Sequence, residues 1–275
     1  MNSTYERIIK PTGGMLPIDF KELWRYHELL GMLILREVRG RYRQSALGFT
    51  WAFIPPLVQM FIFTIIFGNV AKLGPDGVPY PIFCYAALLP WTYFSRALTG
   101  AGQSLLAQRN LLTKVYFPRL ILPLTGVAAA LIDFVIAFVV MVVLMVWFGL
   151  VPGWEIIMLP FFIVIAVLTA FGVGMWLTAL SVKYRDIKFA TPFLVQTWMF
   201  ITPVIFSVDK IPDKYQVLLW MNPMTGVIEG FRWSLLGQPH PNWQLMILSL
   251  GIVFIFLVIG AFYFKQMERT FADII

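Results

Sequence analysis

Gln108-Arg-Asn-Leu-Leu-Thr-Lys-Val-Tyr-Phe-Pro-Arg119 separates two strongly apolar stretches, one ending near residue 103 and one running on to residue 149. Apolar runs of about 20 residues are what a bilayer selects for spanning helices. The connector must then emerge on one face of a membrane. Its three cations, Arg109, Lys114 and Arg119, place it on the cytoplasmic face, because basic loops are retained inside. Asn110 can cap a short helix opening at Leu111, and Pro118 can open the next helix. A plain loop has no need of Val115, Tyr116 and Phe117 in a row beside these cations. The pattern suits a short helix that docks on another protein.

Composition agrees with the membrane reading. Of 275 residues, 59% are hydrophobic and 13% charged, and the mean hydropathy is +0.78. A soluble domain carries about 25% charged residues. The net charge of +7 comes without a basic tract or nucleic-acid module, so it reads as inside bias and no nucleic-acid partner is expected. One cysteine, Cys84, excludes an intrachain disulfide and a multi-cysteine metal centre. The polar start, Met1 to Phe20, carries no cleavable signal peptide on this reading.

Six stretches qualify as spans: 48–71, 80–103, 118–149, 156–181, 190–208 and 243–264. Pro55-Pro56, Pro90, Pro123 and Pro203 interrupt four of them and would bend the helices, which neighbours must then satisfy. With both termini inside, sixteen of the 21 Lys and Arg residues fall on cytoplasmic segments: eight before Leu47, three in the connector, three from Lys183 to Lys188, then Lys265 and Arg269. Lys72, Lys210 and Lys214 fall outside. The expected fold is an all-α integral membrane protein with six transmembrane helices. An amphipathic interface helix over 19–38 precedes them, opened by the capping box Asp19-Phe-Lys-Glu22 and lying along the cytoplasmic surface. Gly74-Pro-Asp-Gly77 makes an outer turn. Residues 209–240 hold two short apolar helices, Tyr215 to Trp220 and Thr225 to Leu236, dipping into the outer leaflet as a re-entrant pair. The tail, 265–275, is cytoplasmic.

Catalytic signals are missing. There is no Gly-Lys dipeptide and hence no Walker A loop, and no His-Glu-x-x-His motif. The histidines, His27 and His240, fall on opposite sides of the membrane, and carboxylates are scattered. Neither an enzyme nor a bound metal or cofactor is expected of this chain.

The connector from Asn110 to Pro123 resembles the signature of permease subunits in the ABC-2 polysaccharide exporter family. Arg41-Tyr-Arg-Gln-Ser-Ala-Leu-Gly-Phe-Thr-Trp51, Phe67-Gly68, Gly77-Val-Pro-Tyr-Pro81, Leu88-Leu-Pro-Trp91, Arg185-Asp186, Asn222-Pro-Met224, Glu229-Gly-Phe-Arg232 and the Glu268-Arg-Thr-Phe-Ala-Asp273 tail follow in the same order. The resemblance covers the whole chain and makes 1–275 a single transmembrane domain. It implies a homodimer in a bacterial inner membrane, with two separate ATP-binding cassette subunits that hold ATP and Mg. It also implies a substrate, O-antigen, capsule or teichoic acid, carried on undecaprenyl diphosphate. Two rivals are an ABC-2 permease for a drug or small lipid, and a membrane enzyme acting on polyprenyl lipids.

Within that frame, candidate residues fall into four groups. Asn110, Leu111, Leu112, Lys114, Val115, Tyr116 and Phe117, in the loop 104–119, would form the coupling helix that meets the ATPase. Arg39, Arg41 and Arg43, with Arg36, crowd the entry to the first span. They read either as captors of a lipid diphosphate or as anchors on anionic headgroups. Trp51, Phe53, Gln59, Phe61 and Phe63, facing Trp198, Phe200, Thr202 and Phe206, would line a sugar channel; the other reading is interfacial and lipid-facing bulk. Glu229 and Arg232, at i and i+3, would pair in an outer gate. Asp133 is an intramembrane carboxylate. At 1.5 Å per residue, Arg96 lies about 10 Å from the inner end of its span and Asp133 about 22 Å into the next. Direct pairing is therefore not expected without tilt or a bridging water. Gly100-x-Gly102 and Gly172-x-Gly174 mark close helix crossings.

Overall fold

The structure is a computed structural model that describes residues 20–43, 45–75, 77–112, 114–184, 186–268 and 271. Among these residues it is all helical, with no strand. Two helices open the described residues, α1 (Phe20–Arg25) and α2 (His27–Tyr42), with a break at Tyr26 where one interface helix is expected from sequence. The Asp19 cap lies outside the described residues, as do Asp76 in the outer turn, Arg185 and most of the tail. A 3-10 turn over Gly48–Ala52 leads to α3 (Ile54–Phe63), which continues as a π-helix over Thr64–Val70. Next come α4 (Tyr80–Ala107), the single turn α5 (Arg109–Leu112) and α6 (Ile121–Trp147). The 3-10 turn Trp154–Met158 precedes α7 (Leu159–Lys183), and α8 (Ile187–Ile201) follows. Two shorter helices, α9 (Asp213–Trp220) and α10 (Pro223–Leu236), lead to α11 (Trp243–Glu268).

Among the described residues, three stretches are long and apolar enough to cross a membrane: Ile121–Trp147, Trp154–Lys183 and Trp243–Glu268. Ile54–Val70 is apolar over a shorter length. With 28 residues, α4 has the reach, yet Thr92, Ser95, Arg96, Thr99 and Gln103 run along it. The expected fifth span, 190–208, contracts to the 15 residues of α8, because Thr202 is extended and Pro203 lies beyond the helix end. Fifteen residues rise about 22 Å, less than the roughly 30 Å of a hydrocarbon core. Pro123 sits in the first turn of α6 and Pro55 in the first turn of α3, so neither kinks a helix interior.

The core is organised around α4, which packs against α6, α7 and α10. Glycine brings the backbones together. A Cβ on Gly126 would stand 2.5 Å from the Ala101 nitrogen and the Gly100 carbonyl carbon, so α4 and α6 cross with no side chain between them. Gly260 meets Gly172 in the same way between α11 and α7. Tyr85 fixes the α4–α6 register by donating to the Ala137 carbonyl at 3.0 Å.

The N-terminal helix departs from expectation. Leu33 is buried in a cluster with Leu105, Phe117 and Leu120 at one end of the bundle, while Arg41 and Tyr42 reach Asp133, twelve residues into α6. Thus α2 climbs along α6 and does not lie flat across the end of the bundle. Between α8 and α11 the two expected short helices are present, α9 and α10 each starting two residues early. Asn222 caps α10, its Oδ1 accepting from the Met224 amide at 3.1 Å. Gly237, at φ 61°, ends it in the left-handed conformation that favours glycine. Apart from the partly exposed Glu229, α10 is buried, whereas α9 exposes Tyr215, Val217 and Leu218.

Candidate functional site: an ion-paired cleft beside α4

Asp133 is 2% exposed and receives three donors. Arg41 and Tyr42 from the end of α2 both hydrogen-bond its carboxylate, and Arg96 from α4 lies 3.1 Å away. The direct Arg96–Asp133 pair overturns the expectation from sequence. Helix ends explain it: α4 runs to Ala107 and α6 starts at Ile121, which puts Arg96 about 16 Å and Asp133 about 18 Å from those ends. At matched depth, no water or tilt is needed.

Arg41, Tyr42 and Arg96 border a cleft of about 470 Å³. Its wall from α4 is Ser95, Arg96, Thr99 and Gln103; Glu37, Arg41 and Tyr42 close it from α2, and Trp51 from the 3-10 turn. Arg96 also donates to the Trp51 carbonyl at 2.9 Å, and Arg41 pairs with Glu37 at 3.4 Å. Two guanidiniums thus meet two carboxylates, Glu37 in the cleft wall and Asp133 behind it, so the charges of the cluster balance. Burial, followed by the hydrogen bond to Asp133 and that carboxylate's charge, pushes the Tyr42 phenol up to about 12. It stays a donor at physiological pH. The signals for this cluster were Asp133 and Arg96 as intramembrane ionisable groups; what hid it was the misplaced end of α4 and start of α6.

The entry arginines divide. Arg41 turns to Asp133, while Arg36, Arg39 and Arg43 share the opposite face of α2 and line a groove of about 350 Å³ with Met32 and Leu35. Arg36 also donates to the Gln108 side chain, tying α2 to the end of α4. The three residues Arg39, Arg41 and Arg43 therefore do not form one cluster.

The connector is less helical than expected. Its helix, α5, spans Arg109–Leu112 and places Asn110 inside the turn; Gln108 precedes it and its carbonyl accepts from the Leu111 and Leu112 amides. Val115 to Pro118 are not helical, and Pro118 stands before α6 as an acceptor for the Ile121 amide. Lys114, Val115 and Tyr116 are exposed, Leu111 and Leu112 half-buried. Phe117 is buried beside Leu33 and Leu120, so it anchors the connector to the bundle and is closed to any partner. Arg119 donates to the Glu268 carbonyl and lies over the Phe271 ring.

The aromatic stripes divide as well. Trp51, Phe61 and Phe200 are exposed. Phe53, Phe63 and Trp198 pack against the core, Trp198 edge-on to Phe94, while Gln59 and Phe206 are half-buried. Thr202 is fully buried: it donates to the Trp198 carbonyl and accepts from Asn222 Nδ2 at 2.7 Å, so it ties α8 to α10 and faces no open surface. Glu229 and Arg232 do pair, at 2.9 Å. Arg232 is 1% exposed, donates to the Val204 and Phe206 carbonyls, and lies 3.5 Å over the Phe83 ring. This arginine staples α10 to α4 and to the segment after α8.

Residues 28–236 match the ABC-2 type transporter family, and the chain belongs to it. Among similar proteins is the O-antigen export system permease protein RfbA of Myxococcus xanthus, 30% identical over 92% of this chain and 97% of its own length. The protein of the same name from Klebsiella pneumoniae is 26% identical, over 90% and 95% of the two chains. The polysialic acid transport protein KpsM of Escherichia coli is 24% identical, over 86% and 91%.

Proposed function

We propose that this chain is the channel-forming permease subunit of an ATP-driven exporter that moves lipid-linked polysaccharide out of the bacterial cytoplasm. The observation that carries this reading is near end-to-end similarity to proteins named for O-antigen export, polysialic acid transport and capsule polysaccharide export. The chain acts as a homodimer, each copy crossing the inner membrane six times through the 54–70 segment, α4, α6, α7, α8 continued by the non-helical residues 202–207, and α11. Both termini are cytoplasmic, and α9 and α10 enter the outer leaflet as a gate. The exposed connector side chains, Lys114, Val115 and Tyr116 with the α5 turn, receive a separate ATP-binding subunit, which holds ATP and Mg. The basic, apolar-edged groove of Arg36, Arg39 and Arg43 suits a diphosphate lipid headgroup, since guanidinium forks bind phosphate oxygens in pairs.

Exposed Trp51, Phe61 and Phe200 support a sugar path, because aromatic faces pack on sugar C–H groups while water serves the hydroxyls. Deletion of the gene tests the proposal. Surface polysaccharide should disappear while lipid-linked polymer accumulates inside. A strain with intact surface polymer and only altered drug sensitivity would refute it in favour of a small-molecule permease.

A further inference from the structure

Two buried N–H groups have no hydrogen-bond partner among the described residues, and both belong to side chains of the α9–α10 unit: Trp220 Nε1 and Arg232 Nε. Trp220 is 2% exposed and Arg232 1%. Both side chains line one cleft, of about 80 Å³, together with Phe83, Asp209, Gln216 and Glu229. Buried donors in native proteins are nearly always satisfied, so two orphans on one cleft point to a ligand that accepts from both. Arg232 cannot turn to satisfy Nε elsewhere. Its other nitrogens are held by Glu229 and by the Val204 and Phe206 carbonyls, and its plane lies on the Phe83 ring.

The geometry points to a subsite for the hydroxyl groups of a neutral sugar unit. The ligand must accept from Trp220 and Arg232 and stand beside the carboxylates of Asp209 and Glu229. An anion would meet those two carboxylates, and a simple cation would meet the guanidinium. A hydroxyl both accepts and donates, so it suits both kinds of neighbour. The cleft, of about 80 Å³, has room for a hydroxyl-bearing edge of a pyranose. The inference rests on the polysaccharide reading, under which this cleft lies where the polymer emerges. A shallow hold on one edge of each unit would let the chain pass stepwise.

The test uses the full chain in lipid nanodiscs and saturation-transfer NMR with methyl glucoside, methyl mannoside and methyl galactoside at tens of millimolar. Inorganic phosphate serves as the competing anion. At least one glycoside should receive saturation. Trp220→Phe, which keeps an aromatic ring and removes Nε1–H, should weaken that binding roughly three- to tenfold, the loss expected for one hydrogen bond. Gln216→Ala, a milder change at the rim, should weaken it in the same direction. The inference falls if no glycoside receives saturation, if both variants bind as the wild type does, or if phosphate displaces the sugar. Export is read separately in cells. Normal polymer export without glycoside binding removes the subsite and leaves the transport reading standing; glycoside binding in a chain whose deletion spares the surface polymer removes the transport reading.

Discussion

Replacing Asp133 by Asn removes one negative charge from a site where two guanidiniums and a phenol converge on it. The amide keeps the shape and one acceptor, so the change isolates charge. Breaking a fully buried ion pair by removing one partner costs about 3–5 kcal/mol. Asp133 is buried, but Arg41 and Arg96 open on the cleft, where water recovers part of their solvation. A loss of about 2–3 kcal/mol follows. For a chain of this size, each kcal/mol moves the melting point by about 2–4 °C, so the variant should unfold roughly 5–10 °C below the wild type. The chain supplies its own reporter: its one cysteine, Cys84, is buried in α4, and a thiol-reactive dye will label it as the bundle opens. Arg96→Gln added to Asp133→Asn should cost less than the two single changes summed, by about 1–2 kcal/mol, because each removes the same contact. Unfolding of Asp133→Asn at the wild-type temperature, or strict additivity with Arg96→Gln, would refute the ion-pair account.

Three further outcomes are expected. Lys114→Ala with Tyr116→Ala should leave the melting temperature unchanged but abolish co-purification with the ATP-binding subunit, whereas Phe117→Ala should destabilise the chain by about 3–5 kcal/mol because its ring is buried; dye labelling and pull-down separate the two. Gly126→Ala should destabilise by about 1–3 kcal/mol or more, since its Cβ would stand against α4 backbone; normal melting would mean that α4 and α6 do not cross there. Tyr42 has a folded pKa raised above its unfolded value, so the stability it contributes is complete below about pH 10 and is lost as pH rises towards about 12. Melting curves from pH 7 to 11 should show the wild type losing more stability at the alkaline end than Tyr42→Phe, and parallel curves would remove Tyr42 from the cluster.

Helix content, the three apolar stretches and the pair of short helices before α11 were legible because each leaves a periodic or compositional mark: long apolar runs, Pro223 after Asn222, Gly237 at the end of α10. Glu229 and Arg232 were legible because their contact is local, three residues apart on one helix. Contacts between distant segments were not. Arg96 and Asp133 were visible as isolated charges, but errors of four residues at the end of α4 and three at the start of α6 together shifted their relative depth by about 10 Å and hid the pair. The division of the entry arginines between two faces of α2 follows from helical phase, yet which face turns inward is marked only by the burial of Leu33 and Val38 on a helix that packs against α6. Phe117 reads as a docking residue beside Tyr116, and only the neighbouring Leu33 and Leu120 reveal it as an anchor.

The π-helical stretch Thr64–Val70 has a consequence for how such chains diverge. There the Ala71 amide reaches back five residues, to the Ile66 carbonyl at 3.1 Å, where an α-helix would reach back four. The wide turn accommodates one residue more than an α-helical turn, so a single deletion here would tighten the backbone to α geometry and leave α4 in place. The same deletion within α4 would rotate everything beyond it by about 100° and separate Arg96 from Asp133. Single-residue gaps between this sequence and its relatives should therefore gather at 64–70 and be absent between Arg96 and Gly126. The irregular helix serves as an expansion joint in the sequence, absorbing changes of length that the ion-paired bundle cannot tolerate.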